Sequence, residues 1–145
     1  MVAQEGVMGK INWGRVFLCG LVTGVVWGAI ATPVSLVVAQ DFLAAIPIGN
    51  PFSPLQPGLV AFFGLLWFVM GVWMMWLYAA IRPRYGPGPK TAAIAGLATA
   101  VFGLFADAVW VSMGVVPVDV VVAPIAAAVP ILIVSAMAGA WLYKE

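Results

Sequence analysis

The chain contains no histidine, one cysteine (Cys19) and only eleven charged side chains, six basic and five acidic, in 145 residues. Without histidine it lacks the commonest general base and the usual axial ligand of haem and of chlorophyll-type pigments. A lone cysteine inside an apolar run offers neither a disulfide framework nor a metal cluster. The net charge of +1, with no basic patch beyond one short segment, excludes nucleic acid as a partner. Asp41, Asp107 and Asp119 are widely dispersed and the hydroxyls have no neighbouring base, so no catalytic constellation is present and a non-enzyme is expected.

Basic residues are also missing from two particular places, between Asp41 and Gly58 and between Gly114 and Asp119. What fills the chain instead is apolar. Hydrophobic residues make up 65% and charged residues 8%, against roughly 45–50% and 25% in soluble domains. A water-soluble fold could not cover such a core with eleven charges.

Four apolar stretches run from about Val16 to Ala39, Leu59 to Ile81, Thr91 to Met113 and Val120 to Tyr143. Each exceeds the ~20 residues needed to cross a hydrocarbon core of ~30 Å. The expected fold is all-α: a single polytopic domain of four transmembrane helices in an up-down-up-down bundle, with an outer loop over 40–58 and an inner basic loop over 82–90. Lys10, Arg15, Arg82, Arg84, Lys90 and Lys144 all fall on one side of that arrangement. The positive-inside rule then puts both termini in the cytoplasm. The first stretch could also be read as a signal peptide ending near Ala39, but it is too long for an h-region and is taken as an uncleaved helix. Met8 offers an alternative start.

Three prolines and two glycines between Arg82 and Lys90 predict a non-helical loop. Arg82, Arg84 and Lys90 there either anchor topology at the anionic inner leaflet or dock a lipid or partner. The outer loop carries Pro47, Pro51, Pro54 and Pro57, and its Phe42–Ile46 segment is apolar enough for a short interfacial helix. The two halves of the chain show short matches. Gly20-Leu21-Val22-Thr23-Gly24-Val25 aligns with Gly96-Leu97-Ala98-Thr99-Ala100-Val101, and Trp76-Leu77-Tyr78 with Trp141-Leu142-Tyr143. They are read as a duplicated hairpin, or as coincidence among common membrane residues.

Gly20, Gly24, Gly28 and Thr32 recur every four positions on the first span, a pattern that lets another backbone approach closely. Ala92, Gly96, Ala100, Gly103 and Asp107 form a similar face on the third span, and the two faces are expected to pack on each other, chiefly through Gly96 and Ala100. Trp67, Trp73 and Trp76 with Met70, Met74 and Met75 give the second span a bulky surface for acyl chains, a partner helix, a quinone or a carotenoid; the cofactor, if any, is left unknown. Trp13, Tyr78, Trp141 and Tyr143 are expected in an inner aromatic belt.

Asp107 is the one charge inside a span, about 9 Å from its outer end at 1.5 Å per residue. A carboxylate there costs ~2.5–3.5 kcal/mol on insertion scales, so it should face protein. Thr32 and the Ala29 carbonyl, freed by Pro33, are the expected partners. Two readings stand: a proton- or cation-linked site, with Pro124 and Pro130 breaking the fourth helix beside it, or a structural hydrogen bond fixing helix register.

The run Trp76-Leu77-Tyr78-Ala79-Ala80-Ile81-Arg82-Pro83-Arg84-Tyr85-Gly86-Pro87-Gly88-Pro89-Lys90-Thr91-Ala92 resembles a group of small uncharacterised bacterial membrane proteins. So do the Asn12-Trp13-Gly14-Arg15 lead and the closing Gly139-Ala140-Trp141-Leu142-Tyr143-Lys144-Glu145. The resemblance implies a four-helix protein of the bacterial inner membrane and brings no activity, metal or catalytic residue with it.

Short loops, small-residue faces and the absence of a catalytic set favour an accessory or structural subunit. It would be embedded in lipid and packed against other membrane subunits or its own copies. The alternative is a small proton- or cation-linked transporter using Asp107. Orientation is directly testable: a membrane-impermeant thiol reagent applied outside should label a cysteine placed at Gly49 and miss one at Gly86. The reverse pattern would overturn the charge argument.

Overall fold

The computed structural model describes residues 11–45 and 56–143. Met8, Lys10, Lys144 and the outer-loop positions Gly49, Pro47, Pro51 and Pro54 lie outside them. Among the described residues the chain is entirely helical, with five helices: α1 (Trp13–Val38), α2 (Gln40–Ala45), α3 (Pro57–Tyr85), α4 (Pro89–Ser112) and α5 (Val118–Leu142). All but α2 are long and apolar enough to cross a membrane. The chain is a multi-pass membrane protein.

Local chemistry sets the ends. The Asn12 side chain accepts the Arg15 amide at 3.1 Å and caps α1. Pro57 and Pro89 open α3 and α4 at positions where a missing N–H costs nothing. The expected loop over 82–90 is mostly helix: α3 runs on through Pro83 to Tyr85, and only Gly86-Pro87-Gly88 stand between α3 and α4. Proline fixes φ at a helical value and here gives up one bond in the last turn. Gly86 (φ 82°) and Gly88 (φ 127°) then make the reversal that side-chain-bearing residues resist.

Pro124 and Pro130 do not break the fourth span either; α5 is continuous through both. Each removes a single amide, and three alanines between them (Ala126, Ala127 and Ala128) supply helix propensity without crowding. Pro33 is likewise accommodated within α1.

Packing is strongest between α1 and α3, then between α4 and α5 and between α1 and α5. It is slight between α3 and α4, and α1 does not touch α4. The expected meeting of the Gly20–Gly28 face with Gly96 and Ala100 therefore does not occur. Gly20 and Gly24 are buried against α3: an added Cβ would lie 2.5 Å from Val72 Cα and 2.8 Å from the Trp67 carbonyl oxygen, respectively. Gly71 of α3 returns the fit, since a Cβ there would strike the Gly20 carbonyl oxygen and sit 2.7 Å from the Gly24 nitrogen. Gly96 is buried against α5, 2.8 Å by the same measure from both Ile133 Cα and the Leu132 carbonyl oxygen. The reason is connectivity. Each small face meets the neighbouring span of its own hairpin, which leaves α1 and α4 apart. Gly103, expected in the same packed face, meets nothing.

A third seam brings α5 onto α1 at Gly139, which abuts Thr23, Met75 Sδ and the Cys19 carbonyl. Ser135, Ala136, Gly139 and Ala140 are its buried face. Met74 and Met75 lie in the core and not on the surface expected of them. Thr23, Thr99 and Ser135 are buried yet each donates to a carbonyl of its own helix, Cys19 (2.9 Å), Ala95 (3.0 Å) and Ile131 (2.7 Å).

Gly24→Ala should destabilise by ~1–3 kcal/mol through overpacking against backbone. Gly103→Ala should be neutral or slightly stabilising, because the helix gains propensity and nothing is displaced. Thermal unfolding of the two variants in mild detergent would compare them; equal effects would refute this account of the α1–α3 seam.

Candidate functional site: a cavity beside Asp107

The buried residues of α1 (Val16 to Gly28), α3 (Gly71 to Ala79) and α4 (Thr91 to Ala100) all lie toward the end of the bundle that carries the α3–α4 loop. Toward the other end the helices enclose a partly open cavity of about 450 Å³. Every span contributes to its wall: Trp27, Ala31 and Ser35 from α1; Phe63, Trp67 and Met70 from α3; Thr99, Gly103 and Asp107 from α4; Val121, Pro124 and Ala128 from α5. Phe42 and Leu43 of α2 complete it, with α2 packed against both α1 and α5. α3 and α4 leave a common three-residue loop and pack only slightly on each other, and residues from the far halves of both line the cavity.

Local sequence explains the shape. Gly28 lets the Trp67 indole lie flat on α1, since a Cβ there would be 2.6 Å from a ring carbon. The open space around Gly103 belongs to the cavity. The residue expected to help close the bundle instead keeps it open.

Asp107 is half-buried on the cavity wall and forms no hydrogen bond or ion pair among the described residues. Neither Thr32 nor the Ala29 carbonyl bonds to it, contrary to expectation. Those groups belong to α1, which α4 does not touch, and Thr32 is not on the cavity wall. The register-fixing hydrogen bond is therefore absent. The other polar side-chain groups on the described wall are few: the Thr99 hydroxyl, whose proton is committed to Ala95, Ser35, and the indole N–H groups of Trp27 and Trp67. No basic residue lines the cavity, and no cluster of metal-ligating side chains exists among the described residues.

The basic end is ordered differently from the loose loop expected. Tyr78 and Tyr143 are only 2% and 4% exposed and meet edge to face at 5.7 Å. Arg82 lies 5.6 Å over the Tyr143 ring, and the Tyr78 hydroxyl accepts the Gly88 amide at 3.3 Å. Thr91 donates to the Gly86 carbonyl at 2.6 Å. Only Trp13 and Trp141 of the expected belt are exposed, at 54% and 82%. Arg84 and Lys90 are exposed on helical turns flanking the loop.

Reading the sequence for single spans missed the cavity and the Gly139 seam. The latter had a signal in Ser135 and Gly139, small residues four apart. Nothing matched the chain among protein-family models, curated proteins or solved structures.

Because Asp107 has no partner to orphan, Asp107→Leu should leave thermal stability unchanged or raise it. A large loss of stability would reinstate a structural bond at this position.

Proposed function

We propose that the protein is a small transporter of the bacterial inner membrane, with both termini cytoplasmic, that handles a cation or a proton-linked substrate in the cavity beside Asp107. The observation that carries this reading is an unpartnered carboxyl, five residues from the end of its helix, on the wall of a cavity contributed by all four spans. An intramembrane acid is costly, and those retained without a protein partner typically face a water-accessible or ligand-bearing space. The cavity lies in the size range of small-molecule sites, ~300–1,000 Å³. Close packing at the opposite end supports an access route from one side at a time. The one-sided placement of the basic residues supports the orientation.

A second reading, an accessory subunit, is favoured by α4. That helix packs only on α5 and, slightly, on α3, and it leaves Leu97, Val101, Phe102, Phe105, Val109 and Trp110 exposed. Such a face suits either lipid or a partner helix.

Proteoliposomes holding a pH-sensitive dye and an imposed cation gradient would test transport. The wild-type chain should dissipate the gradient, and Asp107→Asn should abolish this while remaining folded. Wild-type vesicles that behave like empty ones, together with a stoichiometric set of co-purifying membrane proteins, would favour the subunit instead.

A further inference from the structure

We infer that the cavity is selective for a bulky lipophilic monocation, with Asp107 as counter-ion and Trp27 and Trp67 as its aromatic walls. This rests on the reading of the cavity as the working site and names what it takes.

Charge and size on the cavity wall point the same way. Among the described residues Asp107 is the sole ionisable group on that wall, so their field there has one sign. An anion, or a lipid headgroup led by its phosphate, would meet repulsion with no compensating base. A neutral ligand such as a quinone would gain nothing from the charge of the carboxylate and would leave its ionised form unpaired. A small hydrated metal ion needs several oxygen ligands to replace its water, and among the described residues the wall's side-chain oxygens are only those of Asp107, Ser35 and Thr99. A large organic cation needs no such shell. It is weakly hydrated, its apolar bulk suits the aliphatic and aromatic wall, and its charge pairs with one carboxylate.

The aromatic groups add to this preference. Trp27, Trp67, Phe63 and Phe42 converge on the cavity from three helices. Aromatic faces carry negative potential that attracts cations, tryptophan most strongly. Gly28 holds the Trp67 ring on the wall and keeps it from filling the space.

Tetraphenylphosphonium and tetraphenylborate have nearly the same shape and opposite charge, which isolates the electrostatic part. Equilibrium dialysis of each against the full-length protein in nanodiscs, corrected for partition into empty nanodiscs, would measure binding. The expected result is saturable binding of phosphonium at one site per chain, at least about tenfold tighter than borate. Asp107→Asn should erase the preference and Asp107→Glu should retain it. Equal binding of the two ions, no saturable phosphonium binding, or a preference that survives Asp107→Asn would overturn the inference. Selective binding by a chain that dissipates no gradient in liposomes keeps this site and defeats the transport reading. Gradient dissipation without selective binding defeats this site alone.

Discussion

The structure depends on close backbone contact between helices at the end that carries the α3–α4 loop. Lipid tails are as apolar as leucine, so helices in a bilayer gain little by hiding apolar side chains from it; they associate by packing. Gly20, Gly24 and Gly71 bring α1 and α3 together, Gly96 does so for α4 on α5, and Gly139 for α5 on α1. Met74, Met75 and Tyr78 fill the core between these seams. Most of the leucine, phenylalanine and tryptophan side chains face outward or stand around the cavity at the far end, where Trp67 lies against Gly28.

Much of the fold is legible in the sequence because span length and hydrophobicity are one-dimensional properties. Four runs longer than a bilayer is thick admit little else, and the helices found there follow from backbone groups that must bond within the segment. The i+4 glycines are legible too, since helical geometry puts Gly20, Gly24 and Gly28 on one face. Which helix that face meets is another matter. A small-residue stripe says that something comes close and nothing about what, so the match assumed between α1 and α4 had no physical basis beyond similarity of pattern.

The candidate site was half legible. Asp107 stands out because charge in a span is expensive wherever it is, but its surroundings depend on how α3 and α4 pack. Proline was overvalued as a breaker: Pro83, Pro124 and Pro130 all sit inside helices. A lost amide bond is local, whereas the remaining bonds and the surrounding packing keep the segment helical. Tyr78 and Tyr143 were undervalued as core residues because tyrosine near a span end usually sits at the water interface. Here the edge-to-face pair and the Gly88 amide give both rings and the Tyr78 hydroxyl buried partners.

Three of the four buried threonine and serine hydroxyls bond within their own helices, and the fourth, Thr91, bonds to the loop carbonyl of Gly86, which bears on how the bundle is held. Among the described residues no side-chain hydrogen bond ties one long helix to the middle of another; the seams are held by contact alone. Such a seam has no directional bond to snap when one helix tilts against its neighbour. Small rotations trade one set of contacts for a similar set. The polar attachments that reach outside a helix gather instead at the tyrosine end, around Gly86 and Gly88.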